Sequence, residues 1–259
     1  MDLDREFFAN NGYAVVGQLS ARDRGFFLEM FDEDRKRFPY HWRNFGYHQE
    51  ANYDALVTSP RFDGLIRHPE ILPLIEDLMG GPVCFGEIGL RRMGPYDGER
   101  HYGWHRDRAH WPQHPLRMDY IQLMVYLTDV DEGSHCFSLS PESIGDEVLD
   151  DQAAQLLRGG IFDLHGEAGT CALFNVAVLH TPTTRPTQRE RKTVQIYYGH
   201  RDRPYLANDS AVPVQLWRDN PDPETRGFYG VLNERTRVFM HAFSPEDESA
   251  VNPAEPTAD

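Results

Sequence analysis

The chain has 259 residues, 40% of them hydrophobic and 26% charged, and 41 acidic against 26 basic residues leave it at −15 near neutral pH. These proportions suit a soluble globular protein with material for one large core or two small ones. The acidity argues against nucleic acid, anionic membranes and polyphosphates as partners, because each favours a basic surface.

No apolar run approaches a membrane span, and the opening MDLDREFF has no basic stretch leading into an apolar one, so a cytoplasmic protein is expected. Cys84, Cys136 and Cys171 are odd in number and widely spaced, which fits buried small side chains better than a disulfide framework or a zinc cluster.

In chain order, residues 4–10 read as a short helix with Phe7 and Phe8 inward, closed by Asn10-Asn11-Gly12 with the glycine left-handed. Tyr13 to Val16 reads as a strand. Ser20 should cap a helix running to about Arg37, with Phe26, Phe27, Met30 and Phe31 as its apolar stripe and the charges from Asp32 to Arg37 as a solvated face. Segment 38–58 is aromatic and irregular (Trp42, Phe45, Tyr47, Tyr53), either a lid or, preferably, a stretch packed on the core. Residues 60–79 read as one or two helices broken at Pro69 and Pro73 and ended by Gly80-Gly81-Pro82.

From Val83 the texture changes to short β-like runs at 83–93, 103–107, 120–127, 135–139, 161–164, 170–176, 178–180 and 192–199. About eight short strands separated by Gly, Pro and Asp predict a jelly roll, whose interior can hold a metal. Asp146 to Leu157 reads as an acidic helical insertion, 202–243 as loop with a helix near 223–233, and 244–259 as a disordered acidic tail. The expected fold is therefore mainly β with flanking α. A double-stranded β-helix (jelly-roll, cupin-like) core at 83–200 follows a helical part at 1–82 and precedes an extension at 201–243, in one domain over 1–243.

The chemistry centres on Gly103-Trp104-His105-Arg106-Asp107. In an extended strand residues i and i+2 share a face, so His105 and Asp107 supply two ligands of a 2-His-1-carboxylate iron site, and His180 is the candidate for the third. A His-x-Asp pair alone is weak, with about one chance match expected at this composition, and His200-Arg201-Asp202 is a second one. Only His105 and Asp107 are followed by strand-like runs, a downstream histidine and then an arginine, so they are preferred. A kinase catalytic loop is excluded: the asparagine due five residues after the aspartate is Pro112 in one match and Ala207 in the other.

Several separate stretches together resemble the phytanoyl-CoA dioxygenase family of iron(II)- and 2-oxoglutarate-dependent oxygenases. Phe7 to Val16 is similar to the family's helix-Gly-Tyr-strand opening, and Arg67 to Gly80 to the helix before its barrel. Trp104-His105-Arg106-Asp107 resembles its Trp-His-Gln-Asp motif, and Arg191 follows His180 by eleven residues, as the 2-oxoglutarate arginine follows the distal histidine. Pro141-Glu142-Ser143-Ile144 departs from the usual Pro-Gly-Ser-His turn.

The resemblance implies Fe(II) on His105, Asp107 and His180. It also implies 2-oxoglutarate with its far carboxylate on Arg191 and Thr193, Arg189 being the local alternative, and O2 as co-reactant. Gln122 and Met124 share a strand face and are expected to line the cosubstrate pocket. Oxidative decarboxylation to succinate and CO2 would be coupled to oxidation of a C–H bond in a small-molecule substrate. Because Asp107 is retained, halogenation is not expected. Trp111 stands where an ectoine-hydroxylase-like relative contacts substrate, although loop packing explains it as well, and His101, His110, His114 and Arg117 are further substrate candidates.

Two rivals remain at this point. A metal-dependent cupin-type isomerase or hydrolase would use the triad but leave Arg191 idle, and a non-catalytic jelly-roll binding protein would not need all three ligands. The net charge makes a CoA thioester an unpromising substrate.

Overall fold

The computed structural model describes residues 1–243, so the expected acidic tail at 244–259 lies outside the described residues. The chain opens with helix α1 (Arg5–Asn11), whose Asp4 side chain accepts from the Phe7 N–H and whose Gly12 takes φ 75°. A side chain at Gly12 would meet Val178 Cγ2 at 2.3 Å, so glycine is required there twice over. Phe8 is buried, but Phe7 is 39% exposed and packs edge-on to Tyr13, a correction to the expectation that both face inward.

Strand β1 (Tyr13–Gln18) leads to helix α2 (Ala21–Arg37), where Ser20 accepts from the Asp23 N–H as its N-cap. Phe27, Met30 and Phe31 are buried on its inner side. The expected solvated charge run contains one exception. Asp34 is 1% exposed and accepts hydrogen bonds from Trp42 Nε1, Asn52 Nδ2 and Ser59 Oγ, which pins segment 38–59 to α2.

That segment forms β2 (Arg43–Asn44), β3 (Glu50–Asn52) and the one-turn helix α3 (Ala55–Thr58). Helices α4 (Asp63–Ile66) and α5 (Leu72–Met79) follow. Pro73 does not break α5. It sits in the first turn, where its missing N–H has no partner to lose.

Strands β4 (Val83–Met93), β5 (Tyr120–Tyr126) and β6 (Cys136–Leu139) precede helix α6 (Gln152–Gly159), capped by Asp151. The helix starts six residues later than expected, and 146–151 is loop. Then come β7 (Phe162–Leu164), β8 (Thr170–Asn175), β9 (His180–Thr183), β10 (Arg191–His200) and helices α7 (Val214–Trp217), α8 (Pro223–Tyr229) and α9 (Glu234–Phe243). Of these three helices the sequence predicts only α8.

The strands form two antiparallel sheets, ordered β1-β8-β5-β10-β4-β3-β2 and β7-β6-β9. The expected strand at 103–107 is not a regular strand. It joins the small sheet through isolated bridges, His101 to Thr184 and His105 to His180, and so occupies that sheet's free edge beside β9.

One apolar cluster packs the outer face of the large sheet under the helices, from Phe8 and Phe31 to Leu232 and Met240. A second lies between the sheets and includes Met124, Phe137, Phe174 and Tyr197. With both faces covered, β5 is buried along its whole length. Cys84, Cys136 and Cys171 are buried free thiols. Among the described residues no helix is long and apolar enough to cross a membrane.

Candidate active site

His105 and His180 exchange both backbone hydrogen bonds, at 2.9 and 3.0 Å, and so face each other as a directly opposed antiparallel pair. This sets their rings on one side, with centroids 4.4 Å apart. The Asp107 N–H donates to Val176 O, turning its carboxylate into the same space. Asp107 Oδ1 lies 3.4 Å from His105 Nε2 and Oδ2 lies 3.6 Å from His180 Nε2.

The tautomers are fixed by the main chain. His105 Nδ1 donates to Gly103 O at 2.7 Å and His180 Nδ1 donates to Val178 O at 2.8 Å, because a carbonyl can only accept. In the neutral rings both Nε2 lone pairs then face the space beside the carboxylate, where a cation would sit. The residues fit a cation: two oriented imidazole acceptors and one carboxylate have their ligand atoms within 4.8 Å of one another.

Electrostatics agree with that donor set. Burial pushes His180 down to about 4, so its imidazole is neutral. His105 is raised, chiefly by its hydrogen bond with Asp107. Burial would raise the Asp107 carboxyl, but His180, His105 and the Tyr197 hydroxyl outweigh it and hold it at about 2. The Tyr197 hydroxyl donates to Asp107 Oδ2 at 3.0 Å.

The triad opens on a cavity of about 200 Å³ whose other wall is the inner face of the large sheet. Register orders that face in rungs: Gln122, Tyr197 and Glu87 lie across from one another, then Met124, Gln195 and Gly89, then Tyr126, Thr193 and Arg91. Arg191, opposite Met93, stands one rung further. The residue is 2% exposed, and its guanidinium lies over the Tyr126 ring and donates to Cys136 O and weakly to the sulfurs of Met93 and Met124. No carboxylate pairs with it among the described residues, and Nε has no hydrogen-bond partner. Burial lowers its proton affinity. A buried, unpaired guanidinium is costly, and its fork matches a carboxylate. Arg189, the local alternative, lies at the surface and bonds Asp131 instead.

Of the four expected cosubstrate residues only Gln122 lines the triad's cavity; Met124, Thr193 and Arg191 are buried on the rungs beyond it. The substrate candidates fall elsewhere. Trp111 packs against His114 and His200 with Arg203 over its ring, so it serves as loop packing. His110 bonds Glu142, and Arg117 donates to Asp146 O, both on a separate small cavity under α1. His101 lies against the Tyr47 ring, and His114 bonds Met79 O. None of these five lines the cavity that holds the triad.

Other functional groups gave no signal in the sequence. Glu142, in the turn that departs from the family pattern, accepts from Arg106, His110 and the Leu179 N–H, tying the His105 loop to the His180 strand. A second cluster, Cys136, Asp163 and His165, also has metal-ligand geometry. There the Arg185 guanidinium already donates to both Cys136 Sγ and Asp163 Oδ2, supplying the positive charge a metal would bring.

Comparison with known proteins identifies the family and the fold. Residues 8–193 match the profile of the phytanoyl-CoA dioxygenase (PhyH) family. L-proline trans-4-hydroxylase from Streptomyces griseoviridis is 25% identical over 182 residues, 58% of this chain and 65% of that protein, so the match spans just under two thirds of the relative. EctD from S. alaskensis, solved with bound Fe, superimposes with a TM-score of 0.64 at 19% identity, covering 81% of this chain and 80% of that one. The non-heme alpha ketoglutarate dependent carbocyclase SnoK from nogalamycin biosynthesis gives 0.64 at 18% identity, covering 78% and 86%. These structural likenesses establish a shared fold. The family profile covers well over half of the sequence, and the chain belongs to the phytanoyl-CoA dioxygenase family.

Proposed function

We propose that this protein is an Fe(II)- and 2-oxoglutarate-dependent dioxygenase, an oxidoreductase acting on a C–H bond of a small molecule. Residues 1–243 act as one catalytic unit. His105, Asp107 and His180 hold the iron and leave one face of it open. Arg191, with Thr193 beside it, takes the far carboxylate of 2-oxoglutarate, and Gln122 and Met124 line the cosubstrate's path.

Arg191 carries this reading. A triad alone suits many metalloenzymes, but a buried guanidinium without a carboxylate partner, behind Met124 and Cys136, asks for an anion reaching in from the metal side. A cupin-type isomerase or hydrolase leaves that group unexplained. Neighbouring folds have been solved with the same ligands: EctD with 2-oxoglutarate and 5-hydroxyectoine, and the epimerase SnoN with Fe3+, alpha ketoglutarate and nogalamycin RO.

When bound, iron, 2-oxoglutarate and O2 together supply the oxidation, releasing succinate and CO2 as a substrate C–H bond is oxidised. The chain's own residues orient and shield. Tyr197 fixes one carboxylate oxygen of Asp107, and backbone carbonyls keep both imidazoles in the ligating tautomer. Phe137 and Phe174 flank the His180 ring and keep water from that side.

The net charge of −15 disfavours nucleic acid and anionic membranes as partners. The test is succinate formation from 2-oxoglutarate under air. It should require Fe(II) and vanish in Asp107→Ala; a protein that binds iron yet makes no succinate with any small-molecule pool would contradict the assignment.

A further inference from the structure

The cavity's sheet wall carries an arginine and a glutamate that the proposed chemistry does not use. Glu87 and Arg91 both project from β4 into the cavity shared with the triad. They are four residues apart, and their side chains fold toward each other across Gly89. A Cβ at Gly89 would stand 3.1 Å from Arg91 Nε and 3.2 Å from Tyr53 Cε1, so a side chain there would crowd that fold-back.

Arg91 is held by aromatic faces, its guanidinium 5.0 Å from the Phe45 centroid and 5.5 Å from that of Tyr53. Its side chain is 11% exposed, and Nε is buried without a partner, as is the Tyr53 hydroxyl. The approach of Arg91 to Glu87 Oε1 is 4.0 Å, beyond hydrogen-bond range. The Glu87 carboxyl, 5% exposed, has no hydrogen bond either among the described residues, and burial raises it to about 8, so a cation arriving beside it would favour its ionised form.

Structural ion pairs in this chain look different. Arg106 with Glu142, and Arg185 with Asp163, are in direct hydrogen-bond contact and gather further partners. Glu87 and Arg91 are held close without a direct hydrogen bond between them, and both face the chemistry. Glu87 shares its rung with Tyr197, which touches Asp107, and Asp209, from the loop after β10 and paired with Arg43, adds a second carboxylate to the cavity lining.

Resting on the oxygenase reading above, we infer that Arg91 and Glu87 are a recognition clamp for a small zwitterion, an amino or imino acid. The substrate carboxylate sits on the Arg91 guanidinium and the substrate ammonium on the Glu87 carboxylate, with Asp209 beside it. Such a ligand satisfies both signs at once, which a neutral or purely anionic substrate does not.

The probes are the common L-amino acids, L-proline among them, each with its amide (carboxylate removed) and its N-acetyl form (ammonium removed). Binding is read by calorimetry and thermal shift on anaerobic Fe(II)-loaded protein, with and without 2-oxoglutarate. At least one amino acid should bind, and its amide and N-acetyl forms should bind about tenfold weaker or worse. Arg91→Gln and Glu87→Gln should each weaken it by about tenfold or more while 2-oxoglutarate affinity stays within about twofold. Without amino acid, Glu87→Gln should melt no lower than the wild type, because burial already raises that carboxyl to about 8 and glutamine keeps its shape without a charge.

Three results would overturn the clamp: no amino acid binds, Arg91→Gln weakens 2-oxoglutarate instead, or both variants melt early with binding unchanged. A wild type that binds an amino acid but not 2-oxoglutarate would count against the oxygenase reading and leave the clamp standing.

Discussion

His105 and His180 form a single hydrogen-bonded antiparallel pair at the edge of the small sheet, and that one rung aligns both imidazoles. The two rings differ in surroundings. The His180 side chain is 4% exposed between Phe137 and Phe174, whereas that of His105 is 46% exposed. His180→Ala should therefore lose iron binding and also cost about 2 kcal/mol of stability through the cavity it leaves. His105→Ala should lose iron at little cost to stability. Chemical denaturation of the metal-free variants, alongside iron titration, checks both halves.

Tyr197 tests the outer support of the site. Its hydroxyl is a side-chain donor to Asp107 that is not itself a ligand candidate. Tyr197→Phe should weaken iron by about 10- to 100-fold, the usual effect of removing a group that orients a ligand, without unfolding the protein. Competition with a calibrated chelator measures it.

Arg191 makes a prediction of opposite sign for stability and binding. Arg191→Met replaces a buried, unpaired charge with an apolar side chain among Met93, Met124 and Tyr126. Stability without 2-oxoglutarate should hold or rise, while 2-oxoglutarate affinity should fall by about a hundredfold. Thermal melts and calorimetry separate the two effects.

Glu142 sets an acid limit on stability. Burial would raise its carboxyl, but His110, the Leu179 N–H and Arg106 outweigh it, so its folded value is lowered. The unfolded chain then takes up the proton first on acidification. The stabilisation is complete above an unfolded value of about 4.3 and is lost as pH falls through the folded value below it. Glu142→Gln should start about 3 kcal/mol less stable at neutral pH, as for a broken buried pair, and lose less on acidification. Urea titrations from pH 6 to about pH 3 would show the two curves converging.

The sequence was most legible where local chemistry decides structure. Ser20, Gly12 and the strands at 83–93 and 192–199 follow from capping, left-handed glycine and apolar runs. His105, Asp107 and His180 could be picked because order and spacing survive in one dimension. The pairing that places them could not, since 103–107 is an edge segment bonded at single residues rather than a patterned strand.

Asp34 and Glu142 sit in charged or irregular stretches, and only partners distant in sequence make them buried. Trp111, His110 and Arg117 misled for the converse reason. Nearness in sequence to Asp107 did not carry them to its cavity, because the loop turns back, with Trp111 N–H bonding Arg117 O.

The central claim is that the triad and Arg191 together hold iron-bound 2-oxoglutarate. Anaerobic titration of the purified protein with Fe(II) and then 2-oxoglutarate, followed in the visible, tests it most directly. A charge-transfer band should grow in, vanish in Asp107→Ala, and require much higher 2-oxoglutarate in Arg191→Met. Bound iron with no band at any 2-oxoglutarate concentration would contradict the account.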